Sequence, residues 1–214
     1  MKNKKDKKGS ILKDAMALFI VTLISALALS FVYEITKAPI EEQNEIKKQK
    51  AYQAVYQDTV VKPDEKLMKR AEETDLTSLD ASYENVTIDE INQACDSNGN
   101  LIGYILQVSS KGYKGTITLM YGYSLDGTVQ GIEFLSLKET AGLGMNASKP
   151  DFIDQFTGKT VKQFDVMKPG TATGDNQVDA ISGATVTSKA VAKALNVGID
   201  FLTENAGLGG GANE

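Results

Sequence analysis

The sequence predicts an α+β protein in which a single N-terminal transmembrane helix precedes one domain built on an antiparallel sheet with flanking helices. Three patterns lead to this fold class: residues 15–33 are apolar, residues 86–137 alternate, and residues 188–202 repeat at helical spacing. We divide the chain into a basic segment 1–14, a membrane helix 15–36, a helical linker 37–81, a domain 82–205 and a flexible tail 206–214.

The apolar run has the length and the flanks of a membrane anchor. It is uncharged from Ala15 to Tyr33, and about 20 such residues cross a bilayer core as a helix. A cluster of basic residues comes before it: Lys2, Lys4, Lys5, Lys7 and Lys8. This order predicts a single-pass protein of the cell membrane, with a cytoplasmic N-terminus and an extracytoplasmic domain. Because the span carries no charge, we expect no ion path within it.

A cleaved signal peptide is the alternative interpretation of the same run. Signal peptides have a shorter apolar core, about 7–15 residues, which ends at a small-x-small cleavage site. The sequence Ala28-Leu29-Ser30 could serve as such a site, but it lies inside the apolar run. We therefore favour a retained anchor.

The segment between the anchor and the domain leaves two interpretations open. Residues 39–57 are either a separate helix that begins at Pro39 or a stalk that continues the membrane helix. Residues 59–81 are polar and indicate a linking or edge segment, with a short helix over Glu65–Glu73.

The alternating region predicts an antiparallel meander of about four strands. Turn residues at 96–100 and the pair Asp126-Gly127 separate runs of alternating apolar and polar side chains, which is a strong hairpin signal. Further along, the pattern predicts a short helix over 150–156, a short strand over 161–166 and a helix over 188–202.

Composition excludes several kinds of chemistry. The chain has one cysteine, Cys95, which we expect to be half-buried in a strand, and it has no histidine. An internal disulfide, a cysteine or histidine metal site and a Ser-His-Asp triad are therefore excluded. The net charge of −5 gives no sign of nucleic-acid binding. Redox chemistry would have to come from a bound organic cofactor.

Two short motifs carry the candidate site. The first, residues 179–187, places small and hydroxyl residues just before the C-terminal helix, where Thr185, Thr187 or Ser188 could be an ordinary N-cap. The same arrangement would let a phosphate approach backbone N–H groups at the positive end of a helix. The second motif, residues 139–144, is either a surface turn or a glycine loop that lies close to a ligand.

These motifs resemble those of FMN-binding domains, which occur in the G subunit of the Rnf electron-transport complex and in the C subunit of the sodium-translocating NADH:quinone oxidoreductase. The resemblance implies that Thr185 carries FMN through a phosphoester bond. It implies that a flavin transferase, which uses FAD as donor, reads Asp179, Ser182, Gly183 and Ala184. The flavin would rest against Glu139, Thr140, Gly142, Leu143 and Gly144, with Ala141 where the family usually has proline.

The resemblance further implies a membrane-anchored electron-transfer subunit without catalytic residues of its own. It would work with other membrane subunits of an Rnf-type complex that couples ferredoxin:NAD electron transfer to ion translocation. Two alternatives stay open. The domain could be a stand-alone extracytoplasmic flavin carrier, or a tethered binding module in which residues 182–185 form only a turn and a cap.

Overall fold

One long helix, α1, covers Asn3–Val55 and includes Pro39 in its interior. The structure is a computed structural model that describes residues 3–208, with side chains from residue 12 onward. Of the two interpretations of residues 39–57, it supports the continuation of the membrane helix. A proline removes one backbone hydrogen bond and disturbs one turn, and the helix continues beyond it. The predicted tail beyond residue 208 lies outside the described residues.

The apolar part of α1 is long enough to cross a bilayer. Its most hydrophobic window is not buried against any other described part of the chain. Large apolar side chains such as Leu18, Phe19 and Leu27 are therefore exposed, as expected for a helix whose solvent is lipid. The chain divides into two units between Lys47 and Lys48, so the last turns of α1 belong to the second unit.

The second unit is built on a five-stranded antiparallel sheet. Its strands lie in the order of the chain: β1 Val60–Pro63, β2 Val86–Cys95, β3 Leu101–Lys111, β4 Thr116–Ser124 and β5 Val129–Leu137. The four-stranded meander predicted from the sequence is β2–β5, and β1 adds an edge strand beside β2. Cys95 ends β2 and is fully buried, so the expectation of a half-buried position is wrong.

The two faces of the sheet carry two separate apolar clusters. Leu106, Leu119 and Tyr121 face the main core, whereas Ile105 and Met120 face a smaller cluster. The change of face at each successive residue is the alternation of a β-strand. Because both faces are covered, these central strands are apolar on both sides.

The smaller cluster holds the C-terminal end of α1, with Ala51 and Val55 fully buried against the sheet. Three glycines in neighbouring strands, Gly103, Gly122 and Gly131, form the surface on which this end rests. A Cβ atom on Gly131 would come within 2.9 Å of the Ala54 carbonyl oxygen, and one on Gly122 would meet the Val55 carbonyl oxygen. The helix backbone packs directly on strand backbone here.

A long C-terminal helix, α4, covers Thr185–Ala206 and packs on the other face. It begins three residues earlier than the predicted position 188. Gly198 lies against Tyr121, whose hydroxyl donates a 3.1 Å hydrogen bond to the Leu195 carbonyl oxygen. Gly207 ends the helix in the left-handed conformation that favours glycine.

Shorter elements complete the unit. Helix α2 covers Glu65–Glu73 as predicted, and Asp64 caps it by accepting a hydrogen bond from the Leu67 N–H group. Helix α3, Pro150–Ile153, is shorter than predicted. The strand predicted at 161–166 is wrong in its bounds. Strand β6 is Asp165–Met167, and it pairs in parallel with β7, Gln177–Asp179, which the sequence pattern did not indicate. The predicted domain limits at residues 37 and 82 stay predictions.

Candidate functional site

A cavity of about 390 Å³ lies where two loops meet the N-terminal end of α4. The loops are the turn 112–115 between β3 and β4, and residues 139–144 after β5. Side chains and backbone from all three segments line the cavity: Tyr113, Glu139, Thr140, Leu143, Gly144, Gly183, Ala184, Thr185, Val186 and Thr187. The two motifs found in the sequence, which are about 40 residues apart in the chain, thus form one site.

Glu139 holds the two loops together. Its side chain is buried, and Oε1 accepts hydrogen bonds from the backbone N–H groups of Tyr113 at 2.8 Å and Lys114 at 3.2 Å. A Cβ atom on Gly112 would overlap Oε1, so only glycine leaves room for the carboxylate. Hydrogen bonds from N–H groups to a carboxylate are stronger than those between neutral groups. Glu139 therefore fixes the geometry of the cavity wall.

The loop after Glu139 is closed by its own backbone. The Thr140 carbonyl oxygen accepts hydrogen bonds from the N–H groups of Leu143 at 3.1 Å and Met145 at 3.2 Å. Gly142 has a φ of +76°, a conformation that glycine adopts without strain. This turn presents the Leu143 side chain, 41% exposed, at the cavity. Ala141 is exposed and supplies no lining atom.

The N-terminal end of α4 opens into the cavity. Gly183 has a φ of +75° in the turn before the helix, and Ala184 occupies the N-cap position. No side chain in the described part of the chain accepts a hydrogen bond at this cap. The interpretation of Thr185, Thr187 or Ser188 as the N-cap is therefore wrong. Because the first N–H groups of a helix have no partner within it, they are available to an anion.

The three hydroxyl residues at this end differ sharply in environment. Thr185 is exposed at the first helical position. Ser188 is fully buried, and its hydroxyl accepts a 3.0 Å hydrogen bond from the Ile181 N–H group while donating to the Ala184 carbonyl oxygen. Thr187 is also fully buried, but its Oγ1 has no hydrogen-bond partner among the described residues.

Of the ten residues proposed from the sequence, the structure brings seven to the cavity lining: Glu139, Thr140, Leu143, Gly144, Gly183, Ala184 and Thr185. Gly142 shapes the loop without lining the cavity. Ser182 is exposed in the turn before α4. Asp179 lies outside the lining, where its Oδ1 accepts hydrogen bonds from the Thr171 and Ala172 N–H groups at 2.9 and 3.0 Å. Its side chain thus holds a neighbouring loop.

Sequence reasoning did not propose Tyr113, Val186 and Thr187 as site residues. The glycines at 112 and 115 were a usable signal for Tyr113, because they indicate a tight turn beside a central strand. Thr187 gave no such signal, since a hydroxyl near a helix start usually indicates a cap. Val186 and Tyr113, 51% and 75% exposed, add apolar surface at the cavity mouth.

The residues present fit a phosphorylated flavin. Tyr113, Leu143 and Val186 offer apolar surface to a planar ring, and the open end of α4 offers N–H groups to a phosphate. An unpaired buried hydroxyl, such as that of Thr187, is costly unless a ligand pairs with it. Within residues 12–208, whose side chains the structure describes, there is no group of three or more acidic or cysteine side chains that could hold a metal ion.

A larger depression, about 870 Å³, lies beside the C-terminal end of α1 and is lined by residues such as Tyr52, Glu90 and Asn92. Its polar groups pair with one another. Glu90 accepts hydrogen bonds from the Tyr52 hydroxyl at 2.7 Å and the Asn92 amide at 2.8 Å, and it forms an ion pair with Lys48. These contacts join helix to sheet, and the smaller cavity stays the candidate site.

Comparison with known proteins identifies the domain that contains this cavity. The FMN-binding domain family matches residues 112–200, and the family of RnfG N-terminal regions matches residues 1–55. The C subunit of the Na⁺-translocating NADH-quinone reductase from Parabacteroides distasonis has a similar fold. Its TM-score is 0.54 at 22% identity, over 81% of this chain and 97% of that one.

Two curated relatives extend the match over nearly the whole chain. The G subunit of the Na⁺-translocating ferredoxin:NAD⁺ oxidoreductase complex of Acetobacterium woodii is 34% identical, over 88% of this chain and 90% of the relative. The G subunit of the ion-translocating oxidoreductase complex of Methanosarcina acetivorans is 30% identical, over 92% of this chain and 97% of the relative. The chain therefore belongs to the family of G subunits of Rnf-type ion-translocating oxidoreductase complexes, and it carries that family's FMN-binding domain behind an N-terminal membrane anchor.

Proposed function

We propose that Thr185 carries FMN through a phosphoester bond, and that the flavin relays electrons between other subunits of an Rnf-type ferredoxin:NAD oxidoreductase complex. One observation carries this proposal. Thr185 is an exposed hydroxyl at the first position of α4, on the lining of a cavity that has both an anion-binding end and apolar walls. Thr187, the other threonine of the motif, is fully buried and is not accessible to a modifying enzyme.

Each segment of the site would do a separate part of the work. The N–H groups and the positive end of α4 stabilise the negative charge of the phosphodiester. Gly183, in its left-handed conformation, lets the chain turn immediately before Thr185 without strain. Leu143 and Val186 provide apolar surface for the ring, and Glu139 holds the two loops together.

Bound flavin supplies one- and two-electron chemistry that protein side chains lack. The chain itself would bind, orient and retain the cofactor, and no residue would act as a general acid or base. A covalent tether suits a domain outside the cytoplasm, because cofactor lost there would not be replaced. The lysines before the membrane helix favour a cytoplasmic N-terminus by the positive-inside rule.

The proposed function requires two kinds of protein partner. A flavin transferase would attach the cofactor with FAD as donor, reading the motif from Asp179 to Thr185. Other membrane subunits of the complex would deliver and accept the electrons. The curated relatives are named as subunits of such complexes, which supports a role within an assembly over that of a stand-alone flavin carrier. The anchor has no charge between Ala15 and Tyr33, so ion movement belongs to other subunits.

The test is the intact mass of the full chain, purified in detergent after co-expression with a flavin transferase. We expect the wild type to gain the mass of one FMN less one water and to fluoresce in a denaturing gel. Thr185→Ala should lose both signals completely. Thr203→Ala, near the other end of α4, is the matched control and should keep them.

An adduct that persists in Thr185→Ala would disprove the tether. A wild type without adduct, beside a known substrate labelled in the same cells, would leave the tethered binding module as the better explanation. Co-purification with membrane subunits tests the assembly separately, since a stand-alone carrier would purify alone whether or not it holds flavin.

A further inference from the structure

The hydroxyl of Thr187 makes no hydrogen bond within the described part of the chain. The residue is fully buried and lines the cavity. Burying a hydroxyl without a hydrogen bond destabilises a folded protein. Its neighbour Ser188 shows the usual solution, since its equally buried hydroxyl has two partners at 3.0 Å. A hydrogen bond with a polar group of a bound ligand would remove the free-energy cost of burying the Thr187 hydroxyl.

The surroundings of Thr187 limit what that ligand group can be. A Cβ atom placed on Gly144 would lie 2.7 Å from Thr187 Oγ1 and 2.8 Å from Glu139 Oε2, which is too close for a carbon atom. Glycine thus leaves room for two oxygens that lie close together, and the small space they border is on their cavity side. Oε1 of Glu139 already accepts two backbone hydrogen bonds, whereas Oε2 faces Gly144. This space is therefore bordered by a hydroxyl and a carboxylate oxygen.

A phosphate is a poor match for this space. A carboxylate and a phosphate repel each other when both are removed from water, and neither can donate a hydrogen bond to the other. The phosphate has a better position at the N-terminal end of α4, beside exposed Thr185. The flavin ring, largely apolar on its faces, matches Leu143 and Val186 at the mouth.

We propose that Thr187 Oγ1 and Glu139 Oε2 together bind a hydroxyl group of the sugar-alcohol chain that links the flavin ring to its phosphate. An alcohol can donate to the carboxylate and accept from the threonine at the same time, which neither the phosphate nor the ring faces can do. The ring edge also carries a donor between two acceptors, but it lies at the far end of the sugar-alcohol chain from the phosphate that Thr185 would hold. This assignment rests on the proposed function. It makes Thr187 a non-covalent positioning residue, separate from the tether two residues earlier, and it gives Gly144 the role of keeping the space open.

The test uses the full chain, flavinylated in cells and purified in a phosphorus-free detergent. The variants are Thr187→Val, which removes the hydroxyl at nearly constant volume, and Thr187→Ser, which keeps it. Intact mass reports the tether, the ³¹P NMR resonance reports the phosphodiester, and quenching of flavin fluorescence by iodide reports how far the flavin leaves the cavity. We expect Thr187→Val to keep the adduct and the wild-type ³¹P shift. Quenching should rise about two- to tenfold, the range for the loss of one hydrogen bond.

The melting temperature of the protein without flavin tests the state of the Thr187 hydroxyl independently of cofactor binding. In apo protein, made without the transferase, Thr187→Val should melt at a higher temperature than the wild type because it removes an unpaired polar atom. The adjacent Ser188→Ala should melt at a lower temperature, because it leaves the Ile181 N–H group without its partner. In the flavinylated protein, Thr187→Ser should give the same iodide quenching as the wild type, because it keeps the hydroxyl.

Three results would overturn the assignment. They are a moved ³¹P resonance in Thr187→Val, unchanged iodide quenching in that variant, and a lower melting temperature of apo Thr187→Val than of the wild type. A wild type without adduct is a separate result, which contradicts the proposed function and not the role of Thr187 alone.

Discussion

In two regions of the domain, glycines allow other atoms to come close to the backbone. The two regions differ in whether the nearby polar groups find hydrogen-bond partners. Where α1 ends on the sheet, glycines let two backbones meet, and the surrounding polar groups pair with one another. At the cavity, Gly112 and Gly144 make room for side-chain oxygens, and one of these, Thr187 Oγ1, has no partner among the described residues. The polar groups of the first region pair without a ligand, whereas Thr187 Oγ1 in the second region finds a partner only when a ligand binds. Unsatisfied groups thus distinguish a binding site from a packing contact.

The largest effect should come from adding a methyl group to the packed region. In Gly122→Ala the new Cβ atom would overlap the Val55 carbonyl oxygen and lie 3.0 Å from the Tyr56 ring, so helix and sheet must separate. We expect a loss of about 3 kcal/mol in the free energy of unfolding, at the upper end for overpacked cores. Urea unfolding can be followed with a fluorogenic thiol reagent, because Cys95 is the one cysteine and is buried.

The control for this change is Gly115→Ala, in the turn between β3 and β4. Its Cβ atom would lie 3.4 Å from the nearest atom, the Lys138 carbonyl oxygen, which is ordinary contact. We expect its unfolding midpoint to match that of the wild type. Equal midpoints for Gly122→Ala and Gly115→Ala would contradict the description of the α1 end as backbone packed on backbone.

A smaller, pH-dependent effect should come from Glu90 in the same region. Burial raises the pKa of this carboxyl, but hydrogen bonds from Lys48, Asn92 and Tyr52 together outweigh it, so its pKa lies below the usual range. A lowered folded-state pKa contributes stability that is present above the unfolded value, about 4.3 for glutamate, and is lost as the pH falls through the folded value.

Glu90→Gln should therefore cost about 1.5–2 kcal/mol at pH 7, the lower end of the range for a hydrogen bond to a charged group. The difference between wild type and variant should shrink as the pH falls below about 5, where the carboxylate begins to take up its proton. Unfolding midpoints measured from pH 7 to pH 3 check this. A difference that stays constant over that range would show that Glu90 acts through packing and not through its charge.

Local signals were enough to predict much of the fold. The turn at Asp96–Asn100 and the pair Asp126-Gly127 predicted the hairpins, because these residues favour the backbone conformations that tight turns require. The bounds of α2 were predicted from its pattern. The parallel pair β6–β7 was missed, since a three-residue strand carries too little alternation to distinguish it from a loop. Helix α1 was divided at Pro39 in one interpretation because proline usually begins or ends a helix.

The motifs of the candidate site could be predicted from the sequence, but the contacts between them could not. That Glu139 joins the turn at Tyr113 to the later loop depends on a contact between residues 25 and 26 positions apart, and no local pattern reports it. The same limit applies to Asp179, which belongs to the motif yet holds a neighbouring loop. The state of Thr187 was the least predictable, because only the packed structure shows that it is buried and that no described residue pairs with its hydroxyl.

The smallest effect on stability should come from Gly144→Ala, the same chemical change as Gly122→Ala in the other region. The new methyl group would lie 2.7 Å from Thr187 Oγ1 and 2.8 Å from both the Cβ atom and Oε2 of Glu139, so these side chains must move slightly. They border a cavity, whereas the Val55 carbonyl cannot move without the helix. Alanine also restricts the unfolded chain, which offsets part of the cost. We therefore expect a loss of about 1 kcal/mol in the free energy of unfolding, at the lower end for overpacked cores.

The same methyl group would displace the two oxygens to which we assign the cofactor chain. In the flavinylated protein, Gly144→Ala should keep the adduct at Thr185, since the tether lies on exposed surface, yet increase iodide quenching as Thr187→Val does. A loss of stability as large as that of Gly122→Ala would mean that the cavity is packed as tightly as the helix contact. Unchanged quenching would mean that the cofactor does not enter the space beside Gly144. Either result would remove the contrast between the two regions. That contrast requires the methyl group at residue 144 to cost little in the free energy of unfolding and yet to weaken the contact with the cofactor.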